Sequence, residues 1–216
     1  MTQISKEKIL EATLALLDSE GEAFSMRGLG RALNVDAKAI YYYYPNKDSL
    51  LNATLKHAMQ EVQLPKVTGN TWQAELTSLA HTYANLATAH PNLVPIMIRL
   101  DGTMPAAFDL MEPVVEILAK TSLSERHILH VVELFVSLLP SYMIEDGTEH
   151  LDNEGLLTHL RTLTKEQYPA INRLISRLQP TDSLTDDDIQ INIIIWGIEK
   201  LVENEAKIMS NEDNAR

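Results

Sequence analysis

Residues 25–47 read SMRGLGRALNVDAKAIYYYYPNK, and the fold follows from how this stretch divides. Ser25 is suited to cap a helix, because its hydroxyl can accept from a first-turn amide that has no intrahelical partner. Leu29 and Leu33 follow one turn apart, and Asn34 stands where a left-handed residue closes a helix. Val35 then packs and Asp36 caps again. The second helix, over 37–44, is about two turns long, with Ile40 and Tyr44 four residues apart on one face. Pro45 and Asn46 break it. Two short helices across a three-to-four residue turn are helix-turn-helix geometry, in which the second helix enters the DNA major groove.

The outward face of that second helix carries chemistry for nucleic acid. With Ile40 and Tyr44 inward, Ala37, Lys38, Tyr41 and Tyr42 point outward and Tyr43 lies at the edge. Ala37 and Ala39 are small enough to let the backbone approach base edges and touch thymine methyls, while Lys38 can donate to guanine. The hydroxyls of Tyr41, Tyr42 and Tyr43, with Lys47 at the start of the next helix, suit phosphate oxygens. Four consecutive aromatics could be core packing, but a helix cannot bury all four.

Working outward, residues 6–20 place Ile9, Leu10, Leu14 and Leu17 at helical spacing, with Gly21 as a stop. After the tyrosines, Asp48 is expected to cap a helix striped by Leu51, Leu55, Met59 and Val62, ended by Pro65. Thr71 opens a long helix carrying Trp72, Leu76, Leu79, Tyr83 and Leu86, which stops at His90-Pro91. A shorter apolar segment spans 92–100. A helix over 106–119 is expected to turn Phe108, Met111, Val115 and Leu118 inward. Ser124 precedes a helix running to about residue 144 that is apolar on more than one face, and Pro140 should kink it. Residues 145–155 are polar and turn-rich. Short helices over 156–163 and 169–178 follow, the second with Pro169 first and with Ile171, Leu174, Ile175 and Leu178 inward. Asp186, Asp187 and Asp188 crowd the start of the last helix, where the dipole favours anions. That helix, 189–209, is apolar around its girth, so more than one side must be covered. No strand pattern and no internal repeat are present, so the chain reads as all-α.

The net charge of −12 would seem to exclude a phosphate partner, but its distribution does not. Residues 1–66 hold eight Lys/Arg and eight Asp/Glu, so the excess negative charge lies entirely in 67–216, with ten basic against twenty-two acidic residues. Such asymmetry suits a small segment facing phosphate and an acidic body facing away. There is no cysteine, which excludes disulfides and thiolate chemistry and fits a reducing cytoplasm. The N-terminus does not look like a secretion signal, and no apolar run is long enough to cross a membrane.

Residues 4–62 resemble the DNA-binding domain of the TetR family of bacterial transcriptional repressors. The residues carrying the resemblance are Ile9 and Leu10, Ser25-Met26-Arg27, Leu29, Ala32-Leu33, Val35, and Ile40 through Lys47, followed by Leu50-Leu51. Gly30 and Asn34 stand where the family more commonly has Ala and Gly. The resemblance implies DNA contacts from Ser25, Arg27, Ala37, Lys38, Tyr41, Tyr42, Tyr43 and Lys47. The remainder is similar to the C-terminal domain of the tetracycline-repressor subgroup through Trp72, His90 and Ile194 to Leu201.

That similarity implies a homodimer joined by a four-helix bundle from residues 125–144 and 189–202 of each subunit. It also implies His90 as an effector contact, although Gln63 and Leu79 depart from the tetracycline pocket. A pocket among the body helices is expected from Tyr83, Leu86, Met97, Met104, Phe108, Met111 and Phe135, with no metal and no cofactor.

The implied organisation has three parts: an N-terminal three-helix helix-turn-helix DNA-binding domain over 1–47, a connecting helix over 48–66, and a larger helical ligand-binding and dimerisation domain over 67–216. The expected function is a cytoplasmic, ligand-responsive repressor that binds a palindromic operator as a homodimer and is released by a small-molecule effector. Two rivals are weaker. Five histidines (81, 90, 127, 130 and 159) lie among carboxylates without a nucleophile or metal spacing that would mark an enzyme. A helical adaptor would use the tyrosine face for protein rather than DNA.

Overall fold

A computed structural model describes residues 4–61, 71–98, 105–142, 162, 166–177 and 187–214, with the side chains of 61, 98, 137–142, 187, 188, 209 and 211–214 undescribed. Every regular element among the described residues is helical. The chain forms two compact units, residues 1–144 with 191–216, and residues 145–190.

The first unit begins with α1 (Lys6–Glu20), capped by the Ser5 side chain, which accepts from the Lys8 amide at 3.2 Å. Its buried stripe is Ile9, Thr13, Leu14 and Leu17, and Thr13 satisfies its own hydroxyl on the Ile9 carbonyl. Gly21 ends the helix at φ 58° and opens a 3₁₀ turn, Gly21–Ala23. Then come α2 (Met26–Ala32) and α3 (Ala37–Tyr43), and α4 (Lys47–Glu61) packs back on α1. Leu51, Leu55 and Met59 are buried along α4 as the spacing predicts; Val62 and Pro65 lie outside the described residues.

The expected Asp48 cap gives way to Asn46. The Asn46 side chain accepts from the Ser49 amide at 2.7 Å, while the Ser49 hydroxyl reaches back to the Asn46 backbone. This reciprocal arrangement works like a capping box with Ser in place of Glu, and it leaves Asp48 in the first turn, favourable to the helix dipole.

The body starts with α5 (Trp72–Ala89), capped by Thr71 and closed at His90. A 3₁₀ turn (Pro91–Leu93) leads into α6 (Val94–Ile98). In α7 (Pro105–Leu118) the buried residues are Ala106, Ala107, Leu110, Val114, Ile117 and Leu118: Leu118 is inward as expected, and the rest of the face lies one residue from the expected register. Phe108 is 54% exposed and Met111 and Val115 are half-buried. The helix packs on α4, α5 and α8 and buries the small side chains of Ala106 and Ala107 while its aromatic one is turned out.

The unit is completed by α8 (Glu125–Tyr142) and by most of α10 (Asp187–Asn214). Ser124 does more than precede α8. Its hydroxyl donates to Glu205 at 2.7 Å, its amide also donates to Glu205, and His127 Nδ1 meets the same carboxylate, so one side chain of α10 gathers the N-terminus of α8. In the second unit, α9 (Pro169–Ile175) has Pro at its first position as expected, but Ile171 and Leu174 are exposed and only Ile175 is buried. Five apolar residues in seven-residue PAINRLI made the inward face ambiguous. The expected helix over 156–163 and the polar loop over 145–155 fall largely outside the described residues.

Candidate nucleic-acid interface

Each cap foreseen in the 25–47 stretch is made. Ser25 accepts from the Gly28 amide at 3.0 Å and starts α2; Asp36 accepts from the Lys38 amide at 2.8 Å and starts α3. Asn34 takes φ 53°, the left-handed conformation that a short polar side chain tolerates. The turn between the helices is drawn tight over Gly30. The Val35 amide donates to the Gly30 carbonyl at 2.9 Å, and a methyl on Gly30 would meet the Val35 carbonyl oxygen at 3.0 Å. Glycine here therefore lets the two helices approach more closely than the family's commoner alanine would without a shift of a few tenths of an ångström.

The four tyrosines part company. Tyr44 is buried, and its burial raises the phenol's pKa. Tyr42 is 85% exposed and Tyr41 47% exposed, on the face opposite Ile40. Tyr43, half-buried, donates its hydroxyl to the Ile4 carbonyl at 2.9 Å and receives the edge of Tyr42 at a ring separation of 5.3 Å. Its hydroxyl thus ties the segment before α1 to α3.

Lys47 is also tied within the head. Its ammonium donates to the carbonyls of Glu22 and, at 2.9 Å, of Phe24, and sits 4.4 Å from the centre of the Phe24 ring. Lys47, the first residue of α4, thus binds the 3₁₀ turn and the residue after it, before α2, to the start of α4.

Arg27 and Lys38 are exposed, and neither makes an ion pair among the described residues. Lys38, Tyr41 and Tyr42 stand exposed on α3 with the small side chain of Ala37 at its start, and Ser25 and Arg27 stand exposed at the start of α2. Backbone amides at the starts of α2 and α3 add the positive ends of two helix dipoles. Such a surface offers donors to phosphate and short reach to base edges.

Residues 9–54 match the family profile described as bacterial regulatory proteins, tetR family, and residues 64–202 match that of the tetracyclin repressor-like C-terminal domain. The chain belongs to the TetR family of bacterial transcriptional regulators. A transcriptional regulator of Saccharopolyspora erythraea with a helix-turn-helix is 26% identical over 174 residues, covering 78% of this chain and 73% of that one. The class D tetracycline repressor of Escherichia coli is 23% identical over 208 residues, covering 94% and 89%. Among solved structures, apo ActR of Streptomyces coelicolor superposes with a TM-score of 0.77 at 22% identity, covering 96% of this chain and 99% of ActR. The family is one of DNA-binding regulators rather than enzymes, and no described helix is long and apolar enough to cross a membrane.

The residues expected to hold an effector divide in this TetR-family regulator. Tyr83, Leu86, Met97 and Phe135 are all buried in the body, with the Tyr83 and Phe135 rings edge-on at 6.0 Å. The Tyr83 hydroxyl donates to the Leu110 carbonyl, one turn before Pro113, and burial pushes its pKa well above the usual phenol range. Met111 is half-buried beside them on α7; Phe108 is exposed, a correction that follows from the register of α7. Met104 lies outside the described residues. His90 faces elsewhere: its Nδ1 lies 3.0 and 3.1 Å from the two carboxylate oxygens of Asp18 on α1. Sequence offers no sign of this pairing, because the partners are 72 residues apart.

Proposed function

We propose that this TetR-family regulator is a repressor that binds a palindromic operator as a homodimer and is released by a small organic effector. The observation that carries the reading is the outward side of α3, where Lys38, Tyr41 and Tyr42 stand exposed on a helix whose other side is anchored by buried Ile40, with exposed Arg27 at the start of α2. In water alone such aromatics have no reason to stand out. Ser25 and Ala37 complete the proposed contact set. Residues 1–47 serve as the reading head, 48–66 as the connecting helix and 67–216 as the body, acting in the bacterial cytoplasm where the operator is.

The dimer is supported by apolar side chains that the single chain leaves uncovered on α8 and α10. Leu129, Leu134, Ile193 and Trp196 are all exposed. A methyl on Gly197 would have nothing within 4 Å, leaving room for a second helix. Covering each large side chain is worth about 1.5–3 kcal/mol, and residues 125–144 and 189–202 of two copies can form a four-helix bundle. The effector reading is supported by fold-sharing ActR, solved with (S)-DNPA and with actinorhodin, and by the buried aromatic and methionine group around Tyr83, Phe135 and Met97.

Release requires an effector that favours a different spacing of the two heads. The test is selection of genomic fragments on the purified protein, followed by mobility shifts with Lys38→Ala. The variant should relax base preference at one position per half-site; unchanged affinity and preference would overturn the assignment of α3 as the reading helix.

A further inference from the structure

The corner that closes α5 is built against the head. His90 ends α5, its amide donating to Leu86, and Pro91 turns the chain so that the half-buried Asn92 faces the last turn of α1. The Asn92 amide nitrogen donates to the carbonyl of Leu17 at 2.8 Å and to that of Asp18 at 3.3 Å. Beside it, the His90 ring meets the Asp18 carboxylate. The last carbonyls of a helix are the negative end of its dipole and lack intrahelical donors, so an amide N–H supplied from another element is favourable there. The Leu17 carbonyl already accepts from the Gly21 amide, and Asn92 Oδ1 lies 3.6 Å from where a Gly21 side chain would begin. The end of α1 and the corner are thus fitted to each other.

A second polar tie joins head-bearing α4 to the body. Asn52 accepts from the Ala106 amide at 3.0 Å, capping α7 from outside, and Lys56 pairs with Asp109 at 2.8 Å. A rigid piece held at one point can pivot about it, whereas one held at two separate points cannot. Apolar packing between helices tolerates small slides, but a hydrogen bond is lost over a few tenths of an ångström.

We propose that Asn92, with His90, is the positioning pair that fixes the tilt of the DNA-binding head on the body, and thereby the separation at which two heads meet the operator. This rests on the two-copy, DNA-binding reading above. Neither residue touches DNA. Each acts through α1, and their loss leaves the head folded but free to pivot about the α4 tie.

The chain contains no cysteine, so Glu11→Cys, exposed on α1 and away from the reading face, gives one spin-label site per head. Pulsed dipolar spectroscopy of the full-length labelled protein then reads the distance between heads. The parent should show one narrow distance, and Asn92→Ala and the near-isosteric Asn92→Asp, which has no N–H to donate, should both broaden it. In mobility shifts, both should lose the sharp optimum in half-site spacing that the parent shows, while Asn92→Gln retains it in part. A merely structural role would lower the melting midpoint without broadening the distance.

If either folded variant keeps the narrow distance and the spacing optimum, the positioning role is wrong. Absence of any inter-label distance in the parent would overturn the two-copy reading and this inference with it. A narrow parent distance with no fragment retained would overturn the DNA reading, and with it the claim that the distance serves an operator.

Discussion

Replacing Lys47 by Met separates two accounts of a residue that sequence resemblance assigns to phosphate. Methionine keeps an unbranched apolar stem against Phe24 and removes the charge. What is lost is a pair of charge-assisted hydrogen bonds to the Glu22 and Phe24 carbonyls and a cation held 4.4 Å from the Phe24 ring centre. Hydrogen bonds to charged groups contribute about 1.5–3 kcal/mol when well shielded. Lys47 is only half-buried, so about 1 kcal/mol each is a fairer figure once solvent screening is considered. The cation–π contact adds about 0.5 kcal/mol at such a site.

The sum, about 2.5 kcal/mol, corresponds to a fall of about 5–10 °C in the melting midpoint of a chain this size. Calorimetry or circular dichroism reads it. The assay that discriminates is DNA affinity as a function of salt, measured well below the transition. Loss of one phosphate contact lowers the slope of log affinity against log salt by about one. The structure predicts a lowered midpoint with the slope unchanged. A slope reduced by about one at an unchanged midpoint would refute the structural role of Lys47 and restore it to the phosphate set.

Three further outcomes are expected. Asn34→Ala forces a β-carbon into the left-handed region at φ 53° and should cost about 1 kcal/mol in thermal unfolding, whereas Asn34→Gly should be neutral or slightly stabilising. The Ser124 hydroxyl, then the Ser124 amide and His127, hold the Glu205 carboxyl below its ordinary pKa. A depressed folded-state value contributes stability that is fully present above the ordinary carboxylate value of 4.5 and is lost as pH falls through the folded value. Glu205→Gln should therefore flatten the acid limb of melting midpoint against pH and leave the neutral limb shifted. Asn52→Ala removes the outside cap of α7 and should destabilise by about 1 kcal/mol, read by denaturant unfolding as a lower midpoint at unchanged slope.

What could be seen in the sequence was whatever is local. The Ser25 and Asp36 caps, Asn34, Gly21 and the Ile9, Leu14, Leu17 and Leu51, Leu55, Met59 stripes are set largely by local spacing, and pattern reading places them correctly. Asn46 is not distinguished from Asp48 by residue type, since Asn and Asp cap about equally well, and the reciprocal Ser49 hydroxyl favours Asn46. Most of the inward face of α7 lies one residue from the expected register, with Leu118 as expected, because PAAFDLMEPVVEIL is apolar on two adjacent faces and periodicity alone gives no preference.

In the interface, separation of Tyr44 from Tyr41 and Tyr42 was readable from helical geometry. The work of Tyr43 and Lys47 was not, since their partners lie 39 and 23 to 25 residues away. The same holds for His90 and Asn92. Long-range polar ties between the end of one helix and a corner 70 or more residues later leave no periodic trace.

Tyr42 gives the most direct test of the reading head. Its side chain is 85% exposed and stacks perpendicular to the Tyr43 ring, so Tyr42→Ala should cost less than about 1 kcal/mol of stability. A phenol donating to a phosphate in the complex is worth about 1.5–3 kcal/mol, a loss of about ten- to a hundredfold in affinity. Mobility shifts on a fragment selected by the parent protein should show that loss at an unchanged melting midpoint. Tyr42→Ala binding that fragment as tightly as the parent would contradict the claim that the outer face of α3 reads DNA.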